Sequence, residues 1–428
     1  LERFRPAQGG NVAITFALVA LSLVGLVGSA IDYSRANSVK ADLQAALDAT
    51  ALMLSKEAAA DTANQLQTNA TAYFTANFNR PGTTGLTITP TYTTSGGTQV
   101  VVNGSVSVPT DFLGIVGINT IAVSSSSTVK WGSSRLRVAL VLDNTGSMAD
   151  SGKIQALQTA TKNLLSQLQS AASTNGDVYV SIVPFVKDVN VGASNYNASW
   201  IDWTDWNSAN TVCSGVQFGS YCFGTQTAAN HNTWNGCVMD RGGQTVPDPA
   251  NYDTNVVAPA ASTKATLFPA EQYSSCPQAA MGLSYNWSAM TTLVNNMSPN
   301  GNTNQAIGLA LGWMSLTGGG PFTAPAMDPN YTYSQIIILL TDGLNTQDRW
   351  YSQQSQIDAR QTMTCNNIKA TGITLYTVEV STDGTPVSPL LQQCASDSSK
   401  FFYLTSSNQI VSTFNTIGTN LSNLYVSK

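Results

Sequence analysis

Residues 12–31 (VAITFALVALSLVGLVGSAI) form a run of twenty without a charge. At 1.5 Å per residue the run spans about 30 Å as a helix, the thickness of a bilayer core. Its length favours a retained span over a signal peptide. The helical pattern does not stop there. Residues 32–78 contain no Pro or Gly, and Val39, Leu43, Ala46, Leu47 and Leu54 make a stripe at helical spacing. Asn79-Arg80-Pro81-Gly82 then ends it. The pattern predicts one long helix with an amphipathic outer half. Residues 84–131 are β-branched and partly alternating, which predicts a small antiparallel sheet turning at Ser95-Gly96-Gly97 and packed on that helix.

From Leu136 the pattern changes again. LRVALVLD (136–143), VYVSIVPF (178–185), SQIIILLTDG (334–343), ITLYTVEV (373–380) and FFYLTS (401–406) are near-continuous apolar runs, as strands buried on both faces require. Helical patterns at 153–172, 304–316, 354–371 and 410–424 separate or follow them. This alternation predicts an α/β domain with a doubly wound, Rossmann-like parallel sheet. Three regions follow: residues 1–80, the span and its helical extension; 81–133, the small β region; and 134–428, the α/β domain. A stretch at about 187–286 interrupts the last, rich in Cys, Trp, Asn and Gly and poor in periodicity. It reads as a stapled, ordered insertion.

Charged residues are only 10% of the 428, so the polar surface is built from Ser, Thr, Asn and Gln. The net charge is −5 and no Lys/Arg run exists, which argues against nucleic-acid binding. The one histidine, His231, excludes HExxH zincins and any chemistry needing two imidazoles. It is expected in a solvated loop. The six cysteines form no CxxC pair, and their even, scattered placement predicts three disulfides and a body outside the cytoplasm. Cys365 and Cys394 flank one strand and could bridge. Positive charges on the two sides of the span, Arg3 and Arg5 against Arg35 and Lys40, do not decide its orientation. The cysteines do, because nearly the whole chain follows the span. Trp200, Trp203, Trp206 and Trp234 are expected to form a small core or interface in the insertion, with a carbohydrate platform as the alternative.

In a doubly wound sheet, ligands bind beyond the carboxyl ends of the strands. One strand ends Asp143-Asn144-Thr145-Gly146-Ser147 and another ends Thr341-Asp342-Gly343. Between them GNTN supplies Thr303, with Thr291 and Thr292 as substitutes. Asp143, Thr145, Ser147, Thr303 and Asp342 offer two carboxylates and three hydroxyls. An oxygen-only set suits a hard cation, Mg²⁺ first, with Mn²⁺ or Ca²⁺ possible. Two carboxylates leave such an ion seeking another anion.

The series Asp143-x-Thr145-x-Ser147, Thr303, Asp342 resembles the metal-ion-dependent adhesion site (MIDAS) of von Willebrand factor A domains, whose usual first element is DxSxS. The resemblance implies that Asp143, Ser147 and Thr303 touch the ion or its waters and that Asp342 acts through water. DNTGS also superficially resembles the DKTGT phosphorylation loop of P-type ATPases. Asn144 stands where that loop has lysine; TDGLNTQD (341–348) likewise echoes the GDGxND element of the same ATPases, with Thr346 where its second Asp would be. The whole chain, with GGNVAITFALVAL, the AIDYSRA exit and a C-terminal A domain, resembles TadG-like proteins of the Tad (Flp pilus) assembly system. The Glu that prepilin-type subunits carry at their fifth position has no counterpart, since counting from Asn11 that position is Thr15. The resemblance implies a single-pass inner-membrane protein that binds protein partners, other pilus-assembly components, and does no catalysis. A surface lectin using the Trp-rich insertion, or a non-metal structural anchor, are the alternatives.

Overall fold

The computed structural model describes residues 11–94, 98–131, 134–245, 254–329 and 331–426. Arg3, Arg5 and the expected turn at 95–97 lie outside the described residues. The chain divides into two compact units between residues 133 and 134.

In the first unit, α1 (Asn11–Leu54) carries the apolar run and continues beyond it. It is long and apolar enough to cross a membrane. The expected single helix is corrected here: the chain turns at residues 55–61 and a second helix, α2 (Ala63–Asn77), folds back. The cause is a capping box. The Thr62 hydroxyl accepts from the Gln65 backbone N–H, and the Gln65 side chain accepts from Thr62 N. Leu66, Ala70 and Phe74 of α2 then bury against Leu43, Leu47 and Leu54 of α1. Strands β1 (Thr84–Thr93), β2 (Thr98–Pro109) and β3 (Thr120–Trp131) form an antiparallel meander. Val100, Val102, Val106 and Val108 share one face of β2 by their period of two, and that face buries on the helices.

The second unit begins with β4 (Ser134–Asp143), α3 (Lys153–Ala171) and β5 (Val178–Phe185). The insertion follows. It contributes β6 (Val189–Asn190), β7 (Ile201–Asp202), α4 (Thr204–Ala209) and four three-residue strands, β8 (Thr211–Cys213), β9 (Val216–Phe218), β10 (Tyr221–Phe223) and β11 (Gln226–Ala228). It then adds β12 (Cys237–Val238), β13 (Phe268–Glu271) and β14 (Met281–Ser284). The chain finishes with α5 (Trp287–Asn295), α6 (Gln305–Thr317), β15 (Thr332–Thr341), α7 (Gln354–Ala370), β16 (Thr374–Val380), α8 (Pro389–Cys394), β17 (Phe401–Leu404) and α9 (Asn408–Val426).

The sheet order is β17-β16-β15-β4-β5-β6-β12-β13-β7, with β14 also on β5. The five strands from β17 to β5 are parallel. Successive residues of β4 enter different cores. Leu136, Val138, Leu140 and Leu142 pack with α3, α5 and α9. Ala139 and Val141 pack with α6 and the insertion. Burial on both faces explains the unbroken apolar runs. This is the expected doubly wound, Rossmann-like α/β architecture. The insertion is not an appendage, because β6, β12, β13 and β7 continue the main sheet past β5.

All three disulfides are present: Cys213–Cys222, Cys237–Cys276 and Cys365–Cys394. Trp206 and Trp234 are fully buried, so the tryptophans form a core. His231 is not in a solvated loop. Its ring stacks on Trp203 at 3.8 Å between centroids, and its Nε2 lies 2.7 Å from Asn207 Oδ1.

Candidate metal centre

Adjacent parallel pairing of β4 and β15 brings their carboxyl ends together. Asp143 closes β4 and is fully buried. Its Oδ1 accepts from Thr145 N at 2.8 Å and its Oδ2 from the Thr341 hydroxyl at 2.6 Å. Burial, and then the charge of Asp342, push its carboxyl up to about 7, against the pull of the bonds from Thr145 and Thr341. The Thr145 and Ser147 hydroxyls lie 3.2 Å apart, and Ser147 Oγ donates to Asp342 Oδ1 at 2.7 Å. Ser147, Thr303 and Asp342 line a cleft of about 520 Å³ at the strand ends. Asp143 and Thr145 sit buried beneath. Thr291 and Thr292 are elsewhere, on α5, bonded to their own helix carbonyls.

Lys153 is the residue that pattern reading missed. Its Nζ donates to Asp342 Oδ2 at 2.5 Å, and the pair is almost wholly buried. A lysine at a helix start reads as a solvated charge. Only the preceding backbone hints otherwise: Ser151 (φ 53°) and Gly152 (φ 69°) are both left-handed and turn the chain just before α3.

The loop that carries Thr303 is held by the insertion. Gly146 N donates to Gly301 O at 3.0 Å, and Asn300 N donates to Asn144 O at 2.8 Å. Gly301 has φ 79°, and a Cβ there would lie 2.7 Å from the Tyr273 hydroxyl, so two reasons require glycine. Asn304 caps α6 and donates to both oxygens of Asp240, at 3.1 and 3.0 Å. Tyr273 and Asp240 both belong to the insertion.

The donor set fits a hard divalent cation: two carboxylates, the Thr145 and Ser147 hydroxyls between them and Thr303 on the cleft lining offer only oxygen, with no nitrogen or sulfur among them. The buried Asn144 side chain beside Asp143 has neither amide atom bonded to another protein group. The charge balance points the same way. Lys153 neutralises one of two carboxylates, and a divalent cation added to that set leaves one positive charge in excess. Such a site favours an incoming anion.

Residues 10–61 match the Flp pilus-assembly TadE/G-like family. No curated protein matches the chain. Solved structures similar to it include the pilus adhesin SpaC from Lactobacillus rhamnosus GG, at 13% identity and a TM-score of 0.39, over 81% of this chain and 36% of that one. The chain therefore spans about a third of that structure's length. The vWF domain of the type V pili tip protein Mfa5 from Porphyromonas gingivalis is similar at 10% identity and a TM-score of 0.39, over 69% and 97% of the two chains. Proximal thread matrix protein 1 from the mussel byssus, solved with a zinc-occupied MIDAS motif, is similar at 12% identity and a TM-score of 0.33, over 66% and 47%. At such scores these likenesses say nothing of what this chain binds. The match at residues 10–61 and the sheet topology describe the chain: an N-terminal region similar to the TadE/G-like Flp pilus-assembly family, followed by a doubly wound α/β domain.

Proposed function

We propose that this chain is a membrane-anchored pilus-assembly or adhesion protein that holds a protein partner through a divalent cation. Asp143, Thr145, Ser147, Thr303 and Asp342 would hold the ion. When bound, it supplies an electrophilic position for a partner's carboxylate. The chain's own residues do the rest. Asp143 is fixed by Thr145 and Thr341, Ser147 orients Asp342, and Lys153 sets the charge so that an acidic partner is attracted. The placement of Asp143 directly beneath the cleft that Asp342 lines, with the Thr145 and Ser147 hydroxyls between them, carries this reading. Three disulfides support a body outside the cytoplasm, and the TadE/G-like region supports pilus components as partners.

Titration calorimetry of the full chain with Mg²⁺ tests it. Asp143→Ala is expected to weaken binding at least about tenfold, since even outer-shell changes at metal sites cost that much. Equal affinity in variant and parent refutes the assignment. A second reading, adhesion through the insertion, is favoured by one observation. Val216, Phe218, Tyr221 and Phe223 pair across β9 and β10 on one face and are each about 70% exposed. Glycan binding that persists in EDTA is its signature.

A further inference from the structure

The loop between β2 and β3 leaves an apolar tip uncovered. Ile115 and Val116 are 72% and 69% exposed, and Ile118 about half. No charge occurs between Asp111 and Lys130. The tip does not stand free of the first unit. It lies beside the apolar run of α1, forming a groove of about 420 Å³ with Ser22, Gly25, Leu26 and Ser29. Phe112 sits against Gly28 so closely that a Cβ there would lie 2.5 Å from the Phe112 Cβ.

We propose that this loop is a second membrane-inserting element, a wedge buried among the acyl chains of the leaflet from which α1 emerges. The inference rests on the reading that residues 12–31 span the bilayer. With 1.5 Å of rise per residue, Ser22 to Ser29 lie roughly 3 to 14 Å inside the exit at Ile31, so the loop tip shares their depth. Interfacial elements bury to a comparable depth, about 5–10 Å.

Two features suit the loop to lipid. Most of its N–H groups are bonded within the first unit, which lowers the cost of entering a water-free medium. Asp32 accepts from the N–H groups of Asp111, Phe112 and Leu113 at 2.8–3.0 Å. Ile115, Gly117 and Ile118 donate to carbonyls within the loop, and Thr110 N donates to Asn119 O. The charges also stop at one level. Asp32 follows directly on the apolar run, and Arg35 pairs with Asp111 at 3.1 Å where the loop begins. Everything from Phe112 to Ile118 is apolar or glycine.

The test uses the full chain in liposomes of phosphatidylcholine and phosphatidylglycerol, with its six native cysteines paired. A single added cysteine, Val116→Cys, is labelled with an environment-sensitive fluorophore. Leu18→Cys in the span and Ala76→Cys on the exposed side of α2 are the references. The wedge predicts that the label at Val116 is quenched by lipid carrying a shallow nitroxide, and several-fold less by aqueous iodide than at Ala76. Iodide quenching at Val116 equal to that at Ala76, with Leu18 in lipid, overturns the wedge and leaves the span intact. A Leu18 label in water overturns both. Protection of Val116 from iodide without nitroxide quenching means that protein covers the tip, and also overturns the proposal.

Discussion

The insertion contains two regions built on opposite terms. Its inner part, around Cys237–Cys276, supplies β6, β12 and β13 to the main sheet and buries Trp206, Trp234, Val238 and Phe268. Its outer part, the ribbon of β8 to β11 around Cys213–Cys222, exposes Phe218, Tyr221 and Phe223 and carries no charge. The inner part is held by a core and by buried polar bonds, which also fix the Thr303 loop. The ribbon has no core, and its disulfide takes that place. One stretch of irregular sequence thus holds a rigid brace for the candidate metal centre and a semi-independent surface element.

The largest expected effect breaks the brace. Lys187 is buried, donates to Asp188 at 3.1 Å and to Glu271, and lies 4.6 Å from the Tyr273 ring centre. Lys187→Met leaves those carboxylates without their cation. Breaking a buried pair costs about 3–5 kcal/mol. The lower end is expected, because burial already raises the Asp188 carboxyl and a proton can replace the lysine. Urea unfolding measures the loss. A change as small as that for an exposed lysine would mean that the inner part is no brace.

A second, smaller effect sharpens the same point through pH. Asp348 packs near Asp240, and its carboxyl is pushed up to about 6 by burial and then by Asp240, despite bonds from Tyr351 N and Trp350 N. Between pH 4 and 6 the folded chain therefore holds a proton that the unfolded chain has released. Stability falls as pH rises through that window, and the full cost stays above it. Asp348→Asn keeps an oxygen for both N–H groups and removes the charge. It is expected to gain about 1–2 kcal/mol above pH 6 and nothing below pH 4. Unfolding midpoints measured across pH 4–8 check this, and a pH-independent difference would contradict it.

Legibility in the sequence followed these same physical lines. The parallel strands were readable because burial on both faces makes unbroken apolar runs, and Asp143 and Asp342 were readable as the polar residues that end them. The strands of the inner brace were not. At two to four residues they are too short to show a period, and only their neighbours make them strands. Lys153 was hidden because its burial depends on a turn, not on spacing. The break between α1 and α2 falls in Ala-rich sequence of high helix propensity, where the visible signal was the Thr62–Gln65 box.

The smallest global effect is expected from the ribbon. Replacing Cys213 and Cys222 together by Ser removes a link between strands that bury almost nothing. Unfolding of the whole domain is expected to change by no more than about 0.5 kcal/mol, as for surface changes outside structural features. The local change is larger, because the bridge restrains only the ribbon and local opening is independent of global unfolding. Chymotrypsin, which cuts after aromatic residues, should cleave at Phe218, Tyr221 or Phe223 many times faster in the variant, with the rest of the chain intact. Cys237→Ser with Cys276→Ser gives the contrast: Cys237 is fully buried within the sheet, so its loss should lower the global midpoint. If the two pairs lower it equally, the ribbon shares the brace's core, and the division drawn between them fails.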